Sequence, residues 1–480
     1  MKTTTFKRAI FAIAMMLITA STSWAYDFIV DGIYYNYNGD GETVSVTYKN
    51  KDYDSYSGSV VIPSTVTYDG TTYSVTKIGE SAFERCRQLT SVNIPESVTE
   101  IGLYSFYSCE SMTSVNIPSS VTTICKNAFE SCWKLTKVEI SNIADWCNIS
   151  FASIPSNPLY FAKHLYLNGT EVTDLVIPES VTEIHPYAFC FCHGFKSVTI
   201  NDSVTSIGEA AFQNCIEMTS LTISNSITSI SRYTFYNCEK LTSAIIPESV
   251  TEIGESAFQN CLKMTSLTIG ESVTSINQYA FSGCYTLSSV NIPESVTEIG
   301  DGAFETCSNL TSLTIGNSVT SIGSYAFNNC KNLVSVTIPK SVNKIGDKAF
   351  YNCYGIMSFT SLNTTPPSAP SENVFKGIPR SDCTLFVPEE SITSYSGSMG
   401  WSYFYNIQGI KNDHVETVEH NVVKVATADG AICISGADGA IAEIFSTSGT
   451  LLYRGSDATI KMPHGIYIVK VAEMTTKVVL

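Results

Sequence analysis

The sequence has few basic residues, and this shortage excludes two classes of partner. Its 480 residues include 28 Lys and Arg against 44 Asp and Glu, which gives a formal net charge of −16. Nucleic acids and anionic membrane surfaces both attract clustered Lys and Arg, because these side chains neutralise phosphates and lipid headgroups. We therefore expect no nucleic-acid partner.

Catalytic motifs and long apolar runs are also missing. No G-x-S-x-G, H-E-x-x-H, P-loop or dinucleotide fingerprint occurs. After the first 25 residues, no apolar run is long enough to span a bilayer. His185, Cys190, Cys192 and His193 form a cluster that hints at metal, but they lack the paired C-x-x-C spacing of a zinc site. The sequence predicts no enzyme, no cofactor, no metal and no transmembrane segment in the mature chain.

The first 25 residues have the pattern of a signal peptide. Lys2, Lys7 and Arg8 precede the apolar run AIFAIAMMLITA, and the small residues of SWA occupy the minus-three and minus-one positions of a cleavage site. We expect cleavage after Ala25 and export of the mature chain to the cell surface or the extracellular space.

A 23-residue period dominates the rest of the chain. Each repeat has a phenylalanine, which we call the repeat Phe, with Cys three residues later and Ile five residues earlier. The repeat phenylalanines are Phe83, Phe106, Phe129, Phe189, Phe212, Phe235, Phe258, Phe281, Phe304, Phe327 and Phe350. The cysteines of this structural ladder are Cys86, Cys109, Cys132, Cys192, Cys215, Cys238, Cys261, Cys284, Cys307, Cys330 and Cys353. Such a register predicts a β-rich solenoid of about eleven coils, because one coil cannot bury its own apolar side.

Within a coil, the pattern predicts two extended segments. The segment LTSLTI at 310–315 looks like a short strand, stacked in parallel on its copies roughly 4.8 Å away. The segment SVTSIGSYAF predicts a second extended piece and one short helical turn. Stacked cysteines are close enough to form bridges. However, parallel side chains in a packed core are poorly oriented for bridging, so buried free thiols are favoured.

The phrase C-x-x-L-x-x-[LV]-x-I-P-x-x-[VI]-x-x-I-x-x-x-A-F resembles the 23-residue leucine-rich repeats of BspA-like bacterial surface proteins. It covers roughly residues 74–360. The commoner leucine-rich pattern has Asn or Cys after the strand, whereas here the Cys precedes it. The resemblance implies a leucine-rich repeat arc of parallel strands with short turns. It also implies export and attachment to host matrix or to other bacteria.

The regions outside the repeats predict caps and a separate domain. In residues 26–73, FIVDGIYYNY and ETVSVTY flank NGDG, which predicts a hairpin within an amino-terminal β cap. Residues 361–411 form an irregular carboxy cap, residues 412–421 a polar linker, and residues 422–480 a small β-sandwich. The runs IFSTSGTLLYRG, MPHGIYIVKV and TKVVL resemble the carboxy-terminal sorting domain of type IX secretion cargo. That resemblance implies recognition by the secretion machinery, followed by surface attachment or release.

One insert interrupts the repeats. Phe129 and Phe189 are 60 residues apart, an excess of 37 over the 23-residue step, and we place the extra residues at 141–177. This stretch predicts a hairpin around Asn168-Gly169 and a protrusion rich in aromatic residues. Its candidate binding residues are Trp146, Phe151, Tyr160 and Phe161. The alternative is that these aromatics pack the insert onto the edge of a coil.

Tyrosine alternates with other residues two positions before the repeat Phe. The intervening coils have Ser, Asn, Ala, Gly or Lys at this position. Two coils separate the rings by roughly 10 Å. The candidate binding stripe consists of Tyr104, Tyr187, Tyr233, Tyr279 and Tyr325. These rings either stack on glycan rings or protein side chains, or share an edge of the core.

Two functions remain open from the sequence. The first is a non-enzymatic adhesin that binds a host extracellular-matrix protein, a glycan or another bacterial surface through the solenoid. The second is a structural spacer or surface-layer protein without a specific ligand.

Overall fold

A computed structural model describes residues 25–50 and 53–410, together with seven strands between residues 424 and 479. Residues 1–24 of the predicted signal peptide and the predicted linker at 412–421 lie outside the described residues. The chain forms two compact units, of which the first ends at Ile410 and the second contains the seven strands.

An amino-terminal cap precedes the coils. Its strands are β1 (Phe28–Val30), β2 (Ile33–Tyr37), β3 (Thr43–Thr47), β4 (Gly58–Val61), β5 (Thr65–Tyr68) and β6 (Thr71–Ile78). Tyr37 lies opposite Val44 in an antiparallel pair, so the hairpin expected around NGDG is confirmed. β6 pairs in parallel with the first short strand of the coils, which joins the cap to the repeats.

Each coil contributes one longer and one shorter strand. The longer strands are β7 (Leu89–Asn93), β9 (Ser114–Asn116), β11 (Lys137–Ile140), β13 (Leu165–Leu167), β15 (Asp174–Val176), β17 (Ser197–Thr199), β19 (Ser220–Thr222), β21 (Ser243–Ile245), β23 (Ser266–Thr268), β25 (Ser289–Ile292), β27 (Ser312–Ile315), β29 (Ser335–Ile338) and β31 (Ser358–Ser361). The shorter strands are β8 (Glu100–Ile101), β10 (Thr123–Ile124), β12 (Ser150–Phe151), β16 (Glu183–Ile184), β18 (Ser206–Ile207), β20 (Ser229–Ile230), β22 (Glu252–Ile253), β24 (Ser275–Ile276), β26 (Glu298–Ile299), β28 (Ser321–Ile322) and β30 (Lys344–Ile345). Most equivalent strands pair in parallel one repeat apart, as Ile253 does with Ile276. The predicted solenoid of parallel strands is therefore confirmed.

The core is a column of stacked phenylalanine rings beside a column of thiols. Neighbouring repeat Phe rings within a run of regular coils lie 5.0–5.6 Å apart between centroids and nearly parallel. The eleven ladder cysteines are buried, and the fifteen cysteines whose side chains the structure describes are free thiols. The Sγ of Cys261 donates to the carbonyl of Phe235 in the preceding coil at 3.5 Å, and eight other ladder thiols do the same. Each thiol thus fills a small space and bonds a buried carbonyl.

The segment around the repeat Phe is a turn, so the expected helical turn is wrong. In every regular coil the residues two before and two after the repeat Phe have positive φ, as at Tyr233 (57°) and Asn237 (56°). The backbone N–H groups of Tyr233, Phe235 and Asn237 donate to carbonyls of the next coil at 2.8–2.9 Å. The turns therefore form a third hydrogen-bonded ladder beside the two strand ladders.

The insert is an additional irregular coil, and the expectation that it protrudes is wrong. β12 pairs in parallel with β10, and β13 with β11, so both strand ladders extend into it. Beyond it, β15 and β16 begin separate sheets with β17 and β18. Its other elements are helix α1 (Ile143–Cys147), the 3₁₀ turn Ile154–Ser156, helix α2 (Leu159–Ala162) and strand β14 (Thr170–Glu171). Leu167 pairs with Thr170 across Asn168-Gly169, which confirms the predicted hairpin.

A carboxy cap closes the first unit. It contains strands β32 (Thr384–Pro388) and β33 (Asn406–Ile410), helix α3 (Ile392–Ser396), and 3₁₀ turns at Glu372–Val374, Glu389–Ser391 and Trp401–Tyr403. β31, β32 and β33 continue the parallel sheet. Phe359 and Phe375 pack on Phe350, the last ring of the column. The buried Trp401 packs in turn on Phe359, Phe375 and Tyr395.

The second unit contains two antiparallel sheets. Its strands are β34 (Lys424–Ala428), β35 (Ala431–Ser435), β36 (Ala442–Ser446), β37 (Leu451–Gly455), β38 (Thr459–Lys461), β39 (Ile466–Val471) and β40 (Met474–Val479). One sheet has the order β34-β35-β38 and the other β37-β36-β39-β40. This arrangement fits the predicted small carboxy-terminal β domain.

Candidate binding groove

Three tyrosines of the candidate stripe line one groove on the turn side of the solenoid. Tyr187, Tyr233 and Tyr279 are half-buried there, and the groove has a volume of about 570 Å³. Ile154 of the irregular coil also lines the groove, beside the first tyrosine. The other lining residues come from the turns: Glu209, Gln213, Tyr236, Glu255, Ser256, Gln259 and Glu305.

The rings of Tyr233 and Tyr279 reach toward the following coil, where the same position holds a small residue, Ser256 or Gly302. The hydroxyl of Tyr233 donates to Glu255 Oε1 in the next coil at 3.2 Å. A Cβ built on Gly302 would lie 2.4 Å from Cε1 and 2.5 Å from Cδ1 of Tyr279. These two atoms form one edge of the ring, so Tyr279 meets the next coil edge-on. A larger residue at position 302 would collide with the ring as it lies there, so the glycine allows the Tyr279 ring to pack on the next coil.

The tyrosines occupy a backbone conformation that suits other residues better. Tyr187, Tyr233 and Tyr279 have φ of 65°, 57° and 55°. Left-handed backbone favours Gly and Asn, and it costs a bulky residue about 1–3 kcal/mol. Gly302 occupies the same position one coil after Tyr279, so the chain can place glycine there. Tyrosine in such a position is an outlier that points to a role for the ring itself.

The groove is acidic. Glu209, Glu255 and Glu305 line it, and no Lys or Arg is among its described lining residues. Burial raises the pKa of Tyr233, and the hydrogen bond to Glu255 raises it further. The pKa of Tyr187 is raised by burial and then by the charge of Glu209. The phenols of Tyr187 and Tyr233 therefore stay neutral beside carboxylates.

The two outer tyrosines of the stripe do not line this groove. Tyr104 lies in the second coil, before the irregular coil, where its ring packs edge-on against Tyr107 at 5.7 Å between centroids. Tyr325 lies two coils beyond Tyr279 and does not line the groove. Lys348 covers its ring, with Nζ 2.9 Å from the phenol oxygen. The structure thus brings together three of the five predicted residues.

The insert aromatics separate into two pairs. Trp146 and Phe151 are buried, at 1% and 5% exposure, so their proposal as binding residues needs correction. The indole Nε1 of Trp146 donates to the carbonyl of Ala188 at 2.8 Å. In regular coils the equivalent carbonyl accepts from the repeat Phe N–H of the preceding coil, and the irregular coil has no such residue. Trp146 therefore replaces a missing backbone donor.

Tyr160 and Phe161 are half-buried in a chain of edge-to-face rings, and Phe161 packs against the core. Phe161 contacts Trp133 at 5.0 Å between centroids, and Tyr160 contacts Phe191 at 4.8 Å. Trp133 is 70% exposed. The sequence interpretation missed Trp133 because it follows a ladder cysteine and lies outside the insert.

The carboxylates were also missed in the sequence. Glu209 and Glu255 stand three residues before a repeat Phe, and Glu305 stands one residue after. These positions are variable among the coils, so the period alone gives them no meaning. On the turn, the positions three before and one after the repeat Phe both face outward. Knowledge of that direction would have identified these glutamates as candidate groove residues.

The Ser and Thr surface of the longer strands is hydrogen-bonded within the solenoid. The hydroxyl of Thr242 donates to the carbonyl of Thr219 at 3.0 Å, and that of Thr265 to Thr242 at 3.2 Å. These hydroxyls stabilise the stacking of coils, which favours a structural role for this face.

No metal centre or membrane helix occurs in the part of the chain that the structure describes. Its His, Cys, Asp and Glu side chains form no group of three or more suited to a metal ion. Burial, with the nearby Lys163 and His164, lowers the pKa of His193 to about 4. The described helices include none of the length and apolarity needed to cross a bilayer.

Comparisons with known proteins agree with this architecture. The sequence model of one family, described as BspA type Leucine rich repeat region, matches six times, over residues 64–166, 160–285 and 251–377. No curated protein matched the chain in sequence.

Solved structures of leucine-rich repeat proteins also match. A leucine-rich repeat protein from Bacteroides ovatus is 24% identical, with 80% of this chain and 100% of that chain covered and a TM-score of 0.48. A leucine rich cell surface protein from Faecalibacterium prausnitzii is 24% identical, with coverage of 82% and 96% and a TM-score of 0.44. The pneumococcal vaccine antigen PcpA is 17% identical, with coverage of 81% and 100% and a TM-score of 0.40.

Proposed function

Because this chain belongs to the BspA type leucine-rich repeat family, we propose that it is an exported, non-enzymatic binding protein of the bacterial surface. Its ligand is a host matrix protein or a glycan, and the solenoid holds it. The observation that carries this proposal is the groove in which three tyrosines, held in left-handed backbone, stand beside three carboxylates. A spacer protein needs no such side chains, since Gly or Asn would suit the backbone better.

The groove proposal is tested by replacing Tyr187, Tyr233 and Tyr279 with Ser in the full chain. We expect binding to an array of matrix proteins and glycans to fall by at least about tenfold, because aromatic side chains dominate binding energy at interfaces. The matched control replaces Tyr285 and Tyr354, which are 45% and 52% exposed and do not line the groove. Thermal unfolding checks that both variants fold. Equal binding by the two variants and the unaltered chain would exclude the groove as the binding site, whereas no binding by the unaltered chain to any member of the array would favour the spacer.

The second unit is proposed to direct export as a type IX sorting domain. Its support is the resemblance of IFSTSGTLLYRG and the terminal strands to such domains, together with its two antiparallel sheets. Deleting residues 422–480 is expected to retain the chain inside the outer membrane of the producing bacterium. Cell fractionation and antibody labelling of intact cells measure this. Undiminished surface labelling of the shortened chain would contradict the proposal.

A further inference from the structure

The last tyrosine of the stripe already holds a cation. The Nζ of Lys348 lies 5.0 Å from the centroid of the Tyr325 ring and 2.9 Å from its hydroxyl oxygen. Lys348 stands two residues before the repeat Phe of the coil after Tyr325. After the three groove tyrosines, the same position holds Ala210, Ser256 and Gly302. Ser256 lines the groove beside Tyr233, so the space that Lys348 fills at Tyr325 is open there. At Gly302 the ring of Tyr279 lies over the glycine instead.

Two carboxylates that line the groove, Glu255 and Glu305, have no cationic partner among the described ion pairs. Arg232 pairs with Glu209 at 2.9 Å and neutralises that end of the groove. Glu255 accepts a tyrosine hydroxyl, and Glu305 accepts the amide of Asn328 at 2.7 Å, so both bonds come from neutral donors. A negative charge therefore remains beside the rings of Tyr233 and Tyr279. Aromatic rings with a neighbouring carboxylate attract Lys and Arg side chains by cation–π and ionic terms.

We propose that the groove binds an extended cationic segment of a partner protein. One Lys or Arg side chain of that segment lies against Tyr233, in the place that Lys348 takes at Tyr325, and another lies against Tyr279 and Glu305. This inference rests on the proposed binding function and names the class of its ligand. The acidic lining disfavours anionic partners, such as sulfated or sialylated glycans, by like-charge repulsion.

The spacing of the rings selects the conformation of the segment. The Phe235, Phe258 and Phe281 centroids step by 5.1 and 5.5 Å, so two coils advance the stripe by about 10 Å. A polyproline II segment returns to the same side every three residues, over about 9.3 Å. A β-strand returns every two residues, over about 6.8 Å, and does not match. Basic residues three apart in a polyproline II segment therefore reach both rings.

A reciprocal exchange of residues tests the inference. The probe is a labelled peptide of four Pro-Pro-Lys repeats, titrated with the full chain in low salt and followed by fluorescence anisotropy. Ser256→Lys supplies an internal ammonium to Tyr233, and Ser256 and Lys348 have nearly the same φ, 53° and 54°. We expect Ser256→Lys to weaken peptide binding by about tenfold, as a lost cation–π and ion-pair contact would. We expect Lys348→Ser to strengthen it severalfold, because it opens Tyr325.

Charge variants separate this mechanism from a loss of fold. Glu255→Gln with Glu305→Gln keeps the shape of both side chains and is expected to lower the affinity by at least about tenfold. Glu248→Gln is the matched control, since Glu248 is exposed on the same coil but does not line the groove. Its affinity should match that of the unaltered chain. Rising salt should weaken the binding of the unaltered chain more than that of the double variant.

Three outcomes would overturn the inference while leaving the proposed function intact. The first is equal affinity for peptides of Pro-Pro-Glu or Pro-Pro-Leu repeats. The second is an exchange of residues 256 and 348 that leaves peptide affinity unchanged. The third is a neutral oligosaccharide that binds in place of the peptide and is lost in the same groove variants. In each case matrix or glycan binding by the unaltered chain would still support a binding protein.

Discussion

The first unit, which contains the stacked coils, is expected to unfold as the pH rises from 9 toward 11 in the presence of a reducing agent. Burial raises the pKa of the Cys132, Cys284 and Cys353 thiols to about 12, and it raises the pKa of every other ladder thiol as well. In an unfolded chain a Cys thiol titrates near pH 8.5. Above that pH the unfolded chain binds fewer protons than the folded chain, so stability falls as the pH rises.

The size of the effect follows from the number of thiols. Stability is fully present below about pH 8.5 and is lost progressively up to about pH 12, at about 1.4 kcal/mol per pH unit for each buried thiol. Eleven ladder thiols therefore outweigh the roughly 5–15 kcal/mol that stabilises an ordinary domain within about one pH unit. Circular dichroism and thiolate absorbance, followed together, should change in one transition.

Single substitutions make this prediction quantitative. Cys261→Ala should lower the dependence of unfolding free energy on pH by about 1.4 kcal/mol per unit between pH 9 and 11, as measured by urea titration. Cys125 is half-buried and outside the ladder, so Cys125→Ala should change that slope less. Thiols that titrate near pH 9 while the circular dichroism stays native would contradict the buried ladder.

The period allowed the core to be predicted because each coil packs on a copy of itself. A residue that recurs every 23 positions meets the same neighbours in every coil, and a buried position must be apolar in all of them. The inward direction of the repeat Phe and the ladder Cys follows from this requirement. The parallel pairing of strands such as β22 and β24 follows from it as well.

The irregular coil could not be predicted in the same way. Its residues meet neighbours that occur once, so no second copy shows which side chains are buried. The sequence left Trp146 open between a binding residue and one that packs the insert onto a coil, and it gave no sign of the hydrogen bond to the Ala188 carbonyl. The turn conformation was missed for a related reason. Tyrosine and lysine give no local signal for positive φ, and only the hydrogen bonds to the next coil impose it.

The sequence predicted the tyrosines of the groove but not its carboxylates. The alternation of tyrosine identified three of its residues, but contacts between coils, such as the edge contact of Tyr279 with Gly302, do not show in the sequence. The carboxylates stand at variable positions of the turn. Their meaning depends on which way the turn directs them, and a sequence without its fold does not show this.

Phe258→Ala is expected to lower the free energy of unfolding by about 3–5 kcal/mol, as measured by urea titration near neutral pH. Phe258 is fully buried, and its ring stacks on Phe235 at 5.1 Å and on Phe281 at 5.5 Å between centroids. Truncation to alanine removes the apolar contacts of the Phe258 ring and its stacking interactions with both neighbouring rings. Tyr285→Ala is the control, because Tyr285 is 45% exposed in the neighbouring coil and should change stability by about 0.5 kcal/mol or less.

The loss of stability caused by Phe258→Ala should be greatest in the coils next to residue 258. In a solenoid each coil contacts only its neighbours, so stability is a sum of coil terms and interface terms. Phe258→Ala weakens the interfaces on both sides of one coil, and backbone N–H groups between residues 235 and 281 should exchange with solvent sooner than those of distant coils. Hydrogen exchange along the chain measures this gradient. A stability loss below about 1 kcal/mol, or faster exchange spread evenly over all coils, would contradict a column in which each ring supports its two neighbours.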